Sequence, residues 1–223
     1  MPNQTATSEY VLHCFAQSGN SYKVALMLEL AGADWTPVWN DFFNGGTRDP
    51  AFRTKNVMAE VPLLEHGDVT LAQSGVILDY LAEQLGRYGP ANDDERREIL
   101  RWTLWDNHKL TANIATLRWM LQFNPEGTFD PAVLAFLRSR SLGALKTLEA
   151  HLKDRRYVVA DRLTIADFSL IGYLYFPTEF GLDWAAFPAV QAWTERIAAE
   201  PGWKHPYDLM PGHPLPAKAA AAG

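Results

Sequence analysis

Cysteine is almost missing from this chain, with Cys14 standing alone among 223 residues. One thiol can neither close an intramolecular disulfide nor form a Cys-x-x-Cys redox pair, so a reducing compartment, the cytoplasm, is the expected location. Basic charge is short as well: Lys and Arg total 20 against 26 Asp and Glu, a net charge of -6. Such a balance leaves no basic stripe to displace counterions from phosphates, so nucleic acid is not an expected partner and small molecules are. No stretch approaches the roughly 20 apolar residues that a membrane-spanning helix needs, which sets membrane insertion aside. Met1 to Glu9 has neither the basic start nor the apolar core of a secretory signal, and no export is expected. The six histidines are scattered without a His-x-x-x-His spacing, so no metal is expected.

What remains is an ordinary apolar content, enough for one large core or two modest ones. Residues 10–15 alternate and are rich in aromatic and β-branched types, which predicts a strand running into the turn cluster Gln17-Ser18-Gly19-Asn20. Val24, Leu28 and Ala31 then recur at helical spacing up to a capping Gly32. A second strand is predicted at 35–39, followed by a loop holding Asn44-Gly45-Gly46 and Asp49-Pro50. Next comes a hairpin, 61–65 and 69–71 about a turn at His66-Gly67-Asp68, and a helix capped by Ser74 that stops at Gly86. The order β-α-β then β-β-α describes a small mixed sheet flanked by helices, a thioredoxin-like domain over 1–87.

Residues 88–92 read as a linker, because every later periodic segment is helical, giving an all-helical domain over 93–223. A long helix is predicted over 93–121, another opens at Asp130 or Pro131 and runs to about Leu152, and a last one spans about 188–199. Thr164-Ile165-Ala166-Asp167 has the form of a capping box, which gives Asp167 a folding role, with Leu163 and Phe168 as its apolar staple. From Pro201 onward, prolines and a terminal alanine run predict an irregular tail.

Four signals carry a resemblance: Ser18-Gly19-Asn20-Ser21-Tyr22-Lys23-Val24 after the first strand, Val61-Pro62-Leu63-Leu64, Gln73-Ser74 opening a helix, and Leu163-Thr164-Ile165-Ala166-Asp167. In that order and spacing the chain resembles the cytosolic glutathione S-transferase superfamily, especially its bacterial serine and asparagine types akin to the beta, theta and nu classes. The resemblance runs from Tyr10 to about Trp203. It implies glutathione as cosubstrate, a hydrophobic electrophilic small molecule as second substrate, no metal and a homodimer.

The implied reaction needs the glutathione thiol as its anion, and a thiol of pKa near 8.5 is only a few per cent ionised at neutral pH. Lowering it by about two units takes roughly 2.7 kcal/mol of selective stabilisation. A hydrogen bond to a charged acceptor supplies about 1.5 to 3 kcal/mol and a helix N-terminus roughly 0.3 to 2. One hydroxyl at the start of a helix is therefore sufficient.

By resemblance Ser18 is the first candidate thiolate donor and Asn20 the second, while a strand-to-helix turn would use the same residue types for caps alone. Tyr22 is expected to pack. Val61-Pro62 looks like the family's cis-proline step, with the Val61 backbone meeting the cysteinyl part of glutathione; an edge-protecting proline is the alternative. Gln73 and Ser74 would hold the γ-glutamyl end at a helix N-terminus. Two departures from the pattern stand out. Gln73 replaces the commoner glutamate, and Asn56-Val57-Met58-Ala59-Glu60 replaces Asn-Pro-x-Gly before the valine-proline step. Thr47, Arg48 and Lys55 are the candidates for the glycyl carboxylate, with Thr47 carried forward. Trp105 and His108 are the candidate second-substrate pocket, while Trp102, Trp119 and Phe123 are as readily core, and Cys14 is expected to be a buried, inert thiol. The same site admits a second enzyme reading, glutathione-dependent reduction of disulfides or peroxides, and a third, a non-catalytic binding module.

Overall fold

The computed structural model describes residues 9–124 and 129–215; the first eight residues and the terminal alanine run lie outside the described residues. Strand β1 (Tyr10–Cys14) alternates as predicted, with Tyr10, Leu12 and Cys14 buried and Val11 and His13 half-buried. It pairs in parallel with β2 (Trp35–Trp39), Tyr10 opposite Trp35, and antiparallel with β3 (Leu63–His66), His13 opposite Leu63. The hairpin partner β4 (Val69–Ala72) completes a sheet of order β2-β1-β3-β4, a thioredoxin-like domain followed by an all-helical one. His66 pairs with Val69, so the hairpin turn is the two-residue Gly67-Asp68, one residue tighter than the sequence suggests.

Helix α1 (Gly19–Ala31) begins at Ser18 and ends at Gly32, whose φ of 68° is the left-handed cap expected of glycine. It is buried on nearly every side because the sheet covers one face and the helical half covers the other. The predicted loop after β2 is different in part: Asp49 caps a short helix α2 (Pro50–Lys55), its carboxylate accepting from the Ala51 amide at 2.8 Å with Pro50 in the first turn. The Asp-Pro pair that reads as a turn is also a helix start. Helix α3 (Ser74–Leu85) likewise differs at its entry. Ser74 is its first residue, and the cap position belongs to Gln73, which makes no side-chain cap bond.

The predicted helix 93–121 is α4 (Asp93–Trp105), a π-helical turn at Asp106–Leu110 and α5 (Thr111–Gln122). At the π turn the Thr111 amide reaches back five residues to the Asp106 carbonyl. That extra residue accompanies a buried cluster: Asp106 accepts from Lys23 Nζ at 2.7 Å, Ser169 Oγ at 2.9 Å and Thr111 Oγ1 at 2.8 Å. Lys23 and Asp106 side chains are both fully buried, so the ion pair bolts α1 to the helical half.

Helices α6 (Pro131–Leu152) and α7 (Ile165–Ile171) enclose the second core. Both halves of the Thr164–Asp167 capping box form, and Asp167 also accepts from the Val158 amide at 2.9 Å and Trp193 Nε1 at 3.0 Å. Every oxygen of this buried carboxylate is therefore satisfied, which is the folding role the sequence predicts. Short α8 (Pro177–Phe180) and longer α9 (Pro188–Ala198) follow.

The segment after Pro201 departs from its prediction. It contains α10 (Pro206–Leu209) and folds back onto the first domain, with Pro206, Leu209 and Met210 buried. The Pro211 carbonyl accepts from the Ala16 amide at 2.8 Å, and the Gly212 carbonyl from Gln17 Nε2 at 2.9 Å. At short range this stretch has few periodic residues; its order comes from partners nearly two hundred positions earlier.

Candidate active site

The strand register gathers the sequence motifs at one end of the sheet. His13 near the end of β1 lies opposite Leu63 at the start of β3, which lies opposite Ala72 at the end of β4. The segments that leave or enter at this end are the Ser18 turn, the Val61-Pro62 step and Gln73-Ser74. The Val61–Pro62 peptide bond is cis, as the resemblance implies.

Ser18 is the N-cap of α1, its Oγ accepting from the Ser21 amide at 3.1 Å. Because the oxygen accepts from the backbone, its proton remains free to be donated outward. The side chain forms part of the wall of a cavity of about 430 Å³, together with Phe43, Arg118, Trp119, Phe123 and Tyr173. Trp119 and Phe123, as readily core on sequence, line this cavity. Phe15 stacks on Phe42 at 4.9 Å and Phe43 meets Phe123 at 5.2 Å, so the aromatic lining is continuous from the sheet to α5.

Arg118 is one of the cavity-lining side chains that sequence reading missed. It is 2% exposed; its Nε donates to Glu179 at 2.8 Å, one terminal nitrogen to the Gln17 carbonyl at 2.5 Å and the other to the Tyr207 hydroxyl at 3.1 Å. Phe176 lies under the guanidinium at 3.6 Å. Tyr207 in turn donates to Glu179 at 2.5 Å, and burial, with that carboxylate beside it, pushes the phenol up to about 12. A guanidinium from α5 thus holds the residue before Ser18, and α10 braces the guanidinium. An arginine alone amid apolar helical positions was the available signal, but its partners lie 61, 89 and 101 positions away in sequence.

The other predicted residues are placed as follows. Asn20 is half-buried at the start of α1, does not line the cavity, and its Oδ1 is buried without a hydrogen-bond partner. Tyr22 packs, fully buried, and donates to the Lys204 carbonyl at 2.9 Å. Ser74 is buried; Gln73 is exposed, holds the strained φ of 70°, and donates from Nε2 to Glu60 at 3.1 Å. Thr47 is buried beyond β2, Arg48 is exposed, and Lys55 is tied to Glu65 at 2.8 Å. The departing loop is closed by Asn56, whose Nδ2 donates to the Glu60 carbonyl at 2.8 Å while its Oδ1 accepts from the Met58 amide at 3.0 Å.

Neither Trp105 nor His108 lines the cavity beside Ser18: Trp105 packs edge-on to Trp102 at 5.2 Å, and His108 is exposed. The resemblance that puts them near the second-substrate pocket does not encode the π turn at Asp106–Leu110, which begins directly after Trp105 and contains His108. Cys14 is buried and its thiol is pushed up to about 12 by desolvation, the inert state expected of it. A second cavity of about 360 Å³ lies between α3 and α4, where Val76, Leu100 and Leu104 are exposed and Gln73 forms part of the wall. Among the described residues no helix is long and apolar enough to cross a membrane.

The sequence model described as glutathione S-transferase, N-terminal domain, matches residues 10–83, and that described as glutathione S-transferase, C-terminal domain, matches 110–201. Glutathione S-transferase 3 of Zea mays is 30% identical over 91% of this chain and 95% of its own length. The disulfide-bond oxidoreductase YfcG of Escherichia coli is 26% identical over 84% of this chain and 89% of its own. Among solved structures, a possible glutathione S-transferase from Rhodopseudomonas palustris superposes with a TM-score of 0.80, at 36% identity over 89% of this chain and 98% of its own.

Proposed function

The chain belongs to the cytosolic glutathione S-transferase superfamily and is an enzyme of that family, and from that premise we propose that it ionises glutathione at Ser18 and transfers its sulfur to an apolar electrophile. The observation that carries the reading is the Ser18 hydroxyl: its oxygen is engaged by the Ser21 amide, its proton is free, and it opens on an aromatic cavity. The thiol proton leaves to water, and the resulting thiolate accepts the hydroxyl hydrogen at the positive end of α1. Sulfur then attacks the electrophilic carbon; a sulfur–carbon bond forms, and the bond to the leaving group breaks with its electron pair going to that group.

Glutathione would lie along the sheet end, the Val61 backbone beside its cysteinyl part and Ser74 at the N-terminus of α3 receiving the γ-glutamyl carboxylate. The strained backbone of Gln73, adjacent to that helix start, fits a residue whose conformation is fixed by what it holds. Thr47 is the proposed neighbour of the glycyl end. Phe43, Trp119 and Phe123, in place of Trp105 and His108, would contact the electrophile.

A second reading has one specific support, the similarity to the disulfide-bond oxidoreductase. Purified protein given glutathione with an aryl halide or with a small disulfide separates the two. Faster conjugate formation is expected; reduction of the disulfide alone would transfer the assignment to the second reading. Calorimetry showing no uptake of glutathione would remove both and leave a binding module.

We further propose that two copies pair through α3 and α4, where Val76, Leu100 and Leu104 are 53%, 56% and 61% exposed. Sedimentation equilibrium should then give twice the 25.0 kDa chain mass, and Leu104→Glu should return a single-chain mass. A wild-type protein sedimenting as one chain would exclude the pairing.

A further inference from the structure

Ser18 is not the only hydroxyl beside the start of α1. Tyr173, in the turn that follows α7, lines the same cavity, and the chain reaches α1 there through two facing glycines. A Cβ on Gly19 would fall 2.5 Å from Tyr173 Cδ2 and 2.6 Å from the Gly172 carbonyl oxygen. A Cβ on Gly172 would fall 2.6 Å from the Gly19 carbonyl oxygen and 2.7 Å from Lys23 Cε. Neither position admits any side chain, so both backbones are bare where they touch, and that contact lays the Tyr173 ring on the first turn of α1.

We propose that Tyr173 is a second catalytic residue, its phenolic hydroxyl donating a hydrogen bond to the glutathione thiolate alongside that of Ser18. The inference rests on the thiolate reading given above. Burial raises the Tyr173 phenol above its ordinary value, so it holds its proton at neutral pH. The Asn20 and Gly19 amides oppose that rise by favouring a negative oxygen, as does the Arg118 charge, while Asp106 reinforces it. The Tyr173 ring rests on the first turn of α1 and lines the cavity, so its hydroxyl hydrogen is available to a group bound there. The phenol thereby passes the positive end of α1 on to the sulfur. It keeps its proton throughout, and no bond in it is made or broken.

Tyr173→Phe retains the ring and its contact with Gly19 and removes only the hydroxyl. The ultraviolet absorbance of the thiolate, titrated with bound glutathione, is expected to show about tenfold less thiolate at neutral pH than in the unmodified enzyme. Turnover should fall in proportion and recover as pH rises. S-methylglutathione, which has no ionisable thiol, should bind both proteins equally. An unchanged thiolate fraction overturns the proposal, and so does loss of S-methylglutathione binding, which would make Tyr173 a structural support. If the unmodified enzyme itself binds glutathione without ionising it, the failure lies in the thiolate reading and is recognised before the variant is made.

Discussion

Replacing Ser18 with alanine is expected to lower turnover at neutral pH by about 10- to 100-fold, the loss of one hydrogen bond to a charged acceptor worth about 1.5 to 3 kcal/mol. The deficit should close as pH rises, because at high pH the thiol ionises without help. The pH profile of kcat/KM therefore shifts upward while its plateau changes little. Ser18 also caps α1 through the Ser21 amide, so the alanine variant should lose about 1 kcal/mol of stability as well. Ser18→Thr separates the two effects by keeping an oxygen for both tasks. An alanine variant whose apparent pKa stays where it was would mean that the sulfur rests elsewhere, and Asn20→Ala becomes the next measurement.

The larger effect on stability is expected at the buried pair between α1 and the π turn. Lys23→Met would leave the fully buried Asp106 carboxylate without its cation, with the Ser169 and Thr111 hydroxyls still donating to it. Removing one member of such a pair costs about 3 to 5 kcal/mol, a large part of a margin of about 5 to 15 kcal/mol. Urea unfolding should show the midpoint fall sharply. Replacing both members, Lys23→Met with Asp106→Leu, should restore much of the loss, since two apolar side chains leave no charge stranded. A single variant that loses less than about 1 kcal/mol would show that water reaches the pair in solution.

Elements written by local pattern are legible in the amino-acid order alone. Alternation over 10–15 marks β1, the 3.6-residue spacing marks α1 with its Gly32 end, and Thr164 to Asp167 marks the capping box, because each of these depends on partners within a few residues. What is not legible depends on distant ones. The docked stretch around α10 is ordered by the carbonyls of Pro211 and Gly212 meeting Ala16 and Gln17. The π turn places Asp106 against Lys23, 83 positions earlier, and no helical period encodes that demand. Helix α2 is the intermediate case, since its Asp49-Pro50 start is a local signal equally used by turns. The candidate site divides along the same line. Motifs mark Ser18, Pro62 and Ser74, whereas Arg118, Phe43 and Tyr173 join the site only through the packing of α5, α7 and the sheet side by side.

The backward dock of the final described segment has a bearing on how the protein comes into being. The ribosome makes the stretch around Pro211 well after Ala16 and Gln17, yet it is this stretch that fastens them, Gly212 reaching Gln17 across 195 positions. A nascent chain held before that point lacks these two bonds to its serine turn. Competence to bind a tripeptide should thus appear only after the stretch around Pro211 has left the exit tunnel.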